Sequence, residues 1–359
     1  MNHQRRVSEL RARFGESGLD GFVVTHLPNV RYLTGFTGSS GSVLVGPHEV
    51  VFFTDGRYKI QSAEQVVGAR IQIFSQGSSF AASLDEVVGS QGMRRVGIEQ
   101  ATLTLKAFEE MGGDLKDCEL VPTDGWVESV RRIKEPEEIN LIRQAAKITD
   151  DCFSYIVDKL DLGKTEKQMA LDLEVFMRGH GAEGVSFEPI VASGPQSALP
   201  HARPSDRKIE KGDFLLFDMG CKVMGYCSDM TRTVAIGPAD DRQREVYDAV
   251  LEAQMKGLEA VKPGATGGSA DGAARSILSA KGFGEAFGHS LGHGVGLDIH
   301  EAPTLRAAGQ DVLAAGHVVT VEPGAYFEGW GGVRIEDLVV VTNEGPDVLS
   351  TSSKELIEL

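Results

Sequence analysis

Phe214-Leu215-Leu216-Phe217-Asp218-Met219-Gly220 reads as a strand meant for burial, yet it carries an aspartate where a core residue belongs. Ser228-Asp229-Met230-Thr231-Arg232-Thr233-Val234 is the next strand, again with an acid in it. Gly220, Lys222 and Gly225 between the two mark a tight return, so the pair predicts a hairpin. A turn around Val223-Met224 sets Asp218 opposite Asp229, with their Cβ atoms roughly 5 Å apart. Two carboxylates there repel, and one is pushed toward protonation unless a cation removes the conflict. The competing reading turns one aspartate to solvent or pairs it with Arg232.

Three further stretches share this pattern. Phe287-Gly288-His289-Ser290-Leu291-Gly292-His293-Gly294-Val295-Gly296-Leu297-Asp298-Ile299-His300-Glu301 holds three histidines in a glycine-rich run, which core filling does not explain. His289 and His293 have the spacing of a zinc-protease HExxH helix, but the glutamate is missing and the glycines argue against a helix. The glycines more plainly let the backbone approach a site closely. Val318-Val319-Thr320-Val321-Glu322-Pro323-Gly324 and Gly332-Val333-Arg334-Ile335-Glu336-Asp337 each end or interrupt a β-rich stretch with a glutamate. Singly, each glutamate reads as a surface residue. Together, four carboxylates and at least one imidazole suit hard or borderline divalent ions such as Mn2+.

The surroundings fit a two-domain chain. At roughly 150 residues per domain, 359 residues suggest two domains. Lys and Arg number 36 against 52 Asp and Glu, for a net charge of −16. Residues 1–134 hold 15 basic and 16 acidic side chains, so nearly all of the excess follows residue 134. Such a field disfavours nucleic acid and anionic membranes as partners. No apolar run is long enough for a membrane span, and no secretory signal is visible. Cys118, Cys152, Cys221 and Cys227 are scattered, which points away from disulfides and toward a cytoplasmic setting.

The first part alternates elements, as a small layered sheet with helices does. Arg5 to Phe14 reads as a helix, residues 21–25 as a strand, and residues 42–45 and 50–54 as a hairpin around Gly46-Pro47-His48-Glu49. Gly56 to Val67 reads as helical and Arg95 to Ile98 as a buried strand. The character changes near residue 130. Lys134-Glu135-Pro136-Glu137-Glu138 opens a helix running to Leu160, and Thr165 with Gln168 form a capping box for the next. Gly35-Phe36-Thr37-Gly38-Ser39-Ser40-Gly41-Ser42 lacks a P-loop lysine and reads as a turn; Asp55-Gly56-Arg57-Tyr58 reads as a helix-entry turn.

Asp218, Asp229, His293, Glu322 and Glu336, in that order and within those motifs, resemble the ligand set of the pita-bread metallopeptidases: methionine aminopeptidase, aminopeptidase P and prolidase. The resemblance covers residues from about 135 onward. The region before it resembles the creatinase-type N-terminal domain of the proline-directed members, which makes methionine aminopeptidase the weaker match. It implies an α/β (α+β) chain with a creatinase-like domain over residues 1–130 and a pita-bread catalytic domain over residues 131–359.

By this resemblance Asp218 binds one ion with both oxygens, Asp229 and Glu336 bridge, and His293 and Glu322 complete the second ion. His201 and His300 match histidines that hold substrate and assist proton transfer. Arg334 and His289 match further active-site positions, Tyr326 matches a supporting tyrosine, and Glu322 is the expected proton carrier. His317 stands where the family has an apolar residue. The implied cofactors are two divalent metal ions, Mn2+ first, then Co2+ or Zn2+. The implied partners are proline-containing peptides and a second copy of the chain. Gly35 to Gly41 and Asp55 to Tyr58 are closer to aminopeptidase P, so the leading expectation is an Xaa-Pro aminopeptidase. Xaa-Pro dipeptidase (prolidase) is the alternative. A non-catalytic binding module of the same fold, or metal-free creatinase, is disfavoured because all five ligand positions are kept.

Overall fold

Six short strands of the first 131 residues pair into one sheet: β1 (Gly21–Val24), β2 (Ser42–Val45), β3 (Val50–Asp55), β4 (Arg70–Phe74), β5 (Arg95–Glu99) and β6 (Glu119–Thr123). These come from a computed structural model, which describes residues 1–74, 77–115 and 117–359. The sheet order is β4-β3-β2-β1-β5-β6, antiparallel through β1, β2 and β3 and parallel toward both edges. The β2–β3 hairpin forms as expected, closed by the Gly46 N–H donating to the Glu49 carbonyl at 2.9 Å. The expected N-terminal helix runs His3–Arg11, and Gly56–Tyr58 is a tight turn before the helix Lys59–Gln65. This unit spans Met1–Arg131.

The glycine-rich loop and the Asp55 turn hold one another. Ser40 donates to Asp55 Oδ2 at 3.1 Å, Ser39 and Tyr58 share a hydrogen bond of 2.6 Å, and the Arg57 N–H caps on Asp55 Oδ1 at 3.0 Å. Both stretches are turns, as read.

The second unit, Arg132–Leu359, builds two similar halves. In the first, the helices Pro136–Asp158 and Glu166–Gly179 cover a sheet of β8 (Ile190–Ser193), β9 (Phe214–Met219) and β12 (Met230–Ala235). The small strands β7 (Gly184–Val185), β10 (Cys221–Val223) and β11 (Tyr226–Cys227) pair beside it. In the second half, the helices Asp241–Ala260 and Gly267–Ala280 accompany a sheet ordered β14-β13-β15-β18-β19 and a pair β16–β17. These strands are β13 (Gly292–Gly294), β14 (Glu301–Leu305), β15 (Val318–Val321), β16 (Gly324–Phe327), β17 (Gly331–Arg334), β18 (Asp337–Thr342) and β19 (Gly345–Val348).

Local chemistry explains the helix starts. Pro136 takes the first turn, where its missing N–H costs nothing, and Glu138 reaches back to the Glu135 N–H at 2.8 Å. Thr165 and Gln168 cap each other reciprocally. Strand alternation then decides which side chains leave the core. Leu215, Phe217 and Met219 of β9 pack under the first helix pair. Asp218, between two of them, faces the opposite way. In the second half Val319, Val321, Val333 and Ile335 pack against the helices, which turns Thr320, Arg334 and Glu336 to the other face. All four cysteines are free, and among the described residues no helix is long and apolar enough to cross a membrane.

His317 is only 2% exposed, and its Nδ1 accepts the Ala314 N–H at 3.2 Å. Burial, with Arg132 and Lys134 adding, pushes its pKa down to about 4. The folded chain holds it neutral, whereas an unfolded histidine titrates near about 6.5. The stability this provides is full above that value and lost as pH falls toward about 4. His317→Asn keeps an acceptor but cannot titrate, so it should flatten this part of the Tm-against-pH curve. A curve with the wild-type slope would show that other groups set it.

Candidate metal centre

The hairpin forms, but its turn lies one residue later than expected. Val223 pairs with Tyr226, leaving Met224 (φ 47) and Gly225 (φ 77) at the tip. Two consecutive positive φ values match the twist of a two-residue hairpin turn, which moves the register by two. Asp218 therefore faces Thr231, not Asp229. A one-residue slip would have sent Asp229 to the other face, whereas a two-residue shift keeps it on the same one. Asp218 and Asp229 are diagonal neighbours. They and Glu336 each offer an oxygen within 4.8 Å of the others. Arg232 pairs with neither aspartate; its Nη2 donates to buried Asp337 at 2.8 Å.

His293 stands on β13, a strand and not a helix. A Cβ at Gly292 would overlap the Thr320 carbonyl, and one at Gly294 the Ala302 carbonyl, so these glycines serve close strand approach. The His293 Nδ1 lies 3.0 Å from the Gly294 carbonyl, which can only accept, so Nδ1 carries the hydrogen. The Nε2 lone pair is left pointing between Glu322 Oε1 at 3.4 Å and Asp229 Oδ2 at 3.6 Å. Thr320 accepts the His293 N–H at 3.0 Å and donates to Glu322 Oε1 at 2.9 Å, so one hydroxyl orients both residues.

Thr231 does the same across the site. Its hydroxyl donates to Glu336 Oε2 at 2.6 Å and accepts from Arg334 Nε at 3.0 Å. Arg334, 3% exposed, also donates to Asp218 Oδ2 at 2.5 Å, Tyr326 Oη at 2.9 Å and the Pro200 carbonyl at 3.2 Å. Tyr326 passes its own hydrogen to His289 Nε2 at 2.9 Å, because His289 Nδ1 gives its hydrogen to the Ser290 carbonyl at 2.8 Å. Burial, joined by the Arg334 charge, pushes His289 down to about 4, so it is neutral. Burial pushes the Tyr326 hydroxyl up to about 12, so it keeps its hydrogen.

The carboxylates are crowded. Burial raises Asp229 well above the usual range, and the charges of Glu336, Asp218 and Glu322 add to it. Glu336 is raised by burial and then by Glu322 and Asp218. Burial pushes Glu322 up to about 7 against the pull of Arg334. Asp218 Oδ1 is buried with no hydrogen-bond partner among the described residues. Four acids, one lone imidazole nitrogen and an orphaned oxygen form a donor set that fits divalent cations.

His201, Asp218, Asp229, His289, His293, His300, Glu322, Arg334 and Glu336 all line one cavity of about 430 Å3. The cavity thus gathers every expected metal-site and active-site residue except Tyr326, and His317 does not line it. Tyr326 reaches it through Arg334 and His289. His201 is exposed, and the His300 ring lies 4.4 Å from that of His293. Thr231 and Thr320 escaped notice because threonine in a strand reads as a β-former. Their signal was parity, each standing two positions from an unexpected acid just beyond the end of its strand.

Residues 140–343 match Metallopeptidase family M24, and residues 6–133 match the Creatinase/Prolidase N-terminal domain. The structure is similar to an Xaa-Pro dipeptidase from Bacillus anthracis, at 44% identity and TM-score 0.96 over 100% of both chains. It is also similar to an X-Pro aminopeptidase from Thermotoga maritima, at 36% identity and TM-score 0.90 over 95% of this chain and 98% of that one. In sequence, an Xaa-Pro dipeptidase from Pyrococcus horikoshii is 34% identical over 354 residues, 98% of each chain.

Proposed function

The chain belongs to metallopeptidase family M24, and on that premise we propose that it hydrolyses Xaa–Pro dipeptides, releasing proline. The observation that carries this is that Asp218, Asp229 and Glu336 bring oxygens within 4.8 Å of one another, that Asp229 and Glu322 both face His293 Nε2, and that Asp218 Oδ1 is buried with no partner among the described residues. Full-length similarity to Xaa-Pro dipeptidases favours the dipeptidase over the aminopeptidase that the N-terminal motifs suggested. Those motifs bond mainly to one another, so they are weak evidence on substrate length.

In this proposal Asp218, Asp229, His293, Glu322 and Glu336 hold two divalent ions. Bound there, such ions supply Lewis-acid polarisation of the scissile carbonyl and a water acidic enough to attack near neutral pH. The residues supply the rest. Gly294 and Thr320 fix the His293 tautomer and aim, the positioning that outer partners give a ligand. Arg334 locks Asp218, and the Tyr326–His289 pair locks Arg334. His201 and His300 donate to the oxyanion that develops on the carbonyl. Glu322 carries a proton to the departing proline nitrogen, which has no hydrogen of its own in the peptide. Mn2+ as the ion, a homodimer, a cytoplasmic setting and a domain boundary near residue 130 belong to the same proposal.

The test compares Ala-Pro with Ala-Pro-Ala as substrates of the metal-loaded protein. Proline release from the dipeptide should exceed cleavage of the tripeptide by about tenfold or more in kcat/KM. A preference for the tripeptide would restore the aminopeptidase reading.

A further inference from the structure

Pro200-His201-Ala202-Arg203-Pro204 forms one wall of the cavity. Both ends of the segment are tied down. The Pro200 carbonyl accepts from Arg334, and the Ser205 N–H and hydroxyl donate to buried Glu166 Oε2 at 2.9 and 2.6 Å. Ala202 is buried between them, its N–H donating to the Leu199 carbonyl at 3.1 Å. Prolines at 200 and 204 restrict the backbone further. The segment is a rigid strip that presents two exposed side chains, His201 and Arg203, to the cavity.

Arg203 differs from the other cation of the cavity. Arg334 is spent on Asp218, Tyr326, Thr231 and Pro200. Arg203 has no ion pair or hydrogen bond among the described residues, so its planar fork of donors is free to take a carboxylate or a similar anion. Glu188, also on the wall, has no ion pair or hydrogen bond among the described residues, and its sign is wrong for an anion. With Arg334 already committed to protein acceptors, Arg203 is the cation of the wall that a substrate carboxylate can pair with.

We propose that Arg203 holds the free C-terminal carboxylate of the substrate and so selects dipeptides over longer peptides. This rests on the dipeptidase reading. In an Xaa–Pro dipeptide the carboxylate sits on the proline, one residue past the scissile bond. In a longer peptide a neutral amide stands there, which gives the guanidinium no charge to pair with.

The experiment measures kcat/KM of the metal-loaded protein for Ala-Pro and for its amide, Ala-Pro-NH2, in wild type, R203Q, R203K and R203E. The fold does not depend on this exposed side chain, and Tm checks that. R203Q should lower kcat/KM for the acid by about tenfold to a hundredfold, mainly through KM, and leave the amide nearly unchanged. R203K should recover part of the loss, and R203E should favour the amide. Wild type that prefers the acid while R203Q keeps that preference overturns the role of Arg203 and leaves the dipeptidase reading standing. Wild type that does not prefer the acid over the amide or the tripeptide removes the dipeptidase reading itself, and the proposal with it.

Discussion

Glu336→Gln is expected to lower kcat/KM on an Xaa–Pro dipeptide by about a thousandfold or more while the chain still folds. Glutamine keeps the size of the side chain and can still accept the Thr231 hydroxyl, which reaches Glu336 Oε2 at 2.6 Å. What it loses is one of the three carboxylates, with Asp218 and Asp229, whose oxygens lie within 4.8 Å of one another. In metal-free protein that loss is a relief, because burial and the charges of Glu322 and Asp218 already work against ionisation of Glu336. The metal-free variant should therefore melt no lower than metal-free wild type. With metal present the order should reverse, since wild type gains stability from ions the variant binds weakly. Calorimetry with and without divalent ions, beside the kinetics, checks both halves. A variant that keeps full activity would remove Glu336 from the site.

Arg334→Met should cost the metal-free protein about 3–5 kcal/mol, the range for breaking a buried pair by removing one partner. Among the described residues Arg334 is the one cation that touches Asp218, and it also anchors Tyr326, Thr231 and the Pro200 carbonyl. Its loss strands Asp218 Oδ2 beside an Oδ1 that already lacks a partner. It also frees the Tyr326–His289 pair and the wall bearing His201, so activity should fall even where stability is restored by metal. Arg334→Lys keeps the charge but cannot span four acceptors with one ammonium, and is expected to rescue stability more than activity. Denaturant midpoints and kcat for both variants test this. Wild-type kcat in Arg334→Lys would contradict the positioning role.

Much of the site was legible because it breaks local rules. An aspartate amid Phe214 to Met219, or a glutamate closing Val318 to Val321, contradicts the burial that the neighbouring residues demand, and such contradictions mark function. The register was less legible. Met224 in a positive-φ position is uncommon for a non-glycine residue, so nothing flagged it as the turn's first residue. The error was harmless to the site because a shift of two preserves the face. That His293, Glu322 and Glu336 meet Asp218 was not readable from local pattern at all. It depends on pairing between β13, β15 and β18, more than 50 residues past the β9–β12 hairpin, and only the family resemblance supplied it. In the first unit the central hairpin was clear from its apolar runs. The strands β4 and β6 were not, since both lie at sheet edges and carry exposed or polar residues such as Arg70, Gln72 and Glu119.

The most direct measurement is proline release from Ala-Pro by the purified chain, before and after exhaustive removal of divalent ions by chelation and dialysis. Catalysis through bound divalent ions requires that activity disappear on removal and return when Mn2+ or a comparable divalent ion is restored. Hydrolysis undiminished in protein shown by elemental analysis to be metal-free would contradict it.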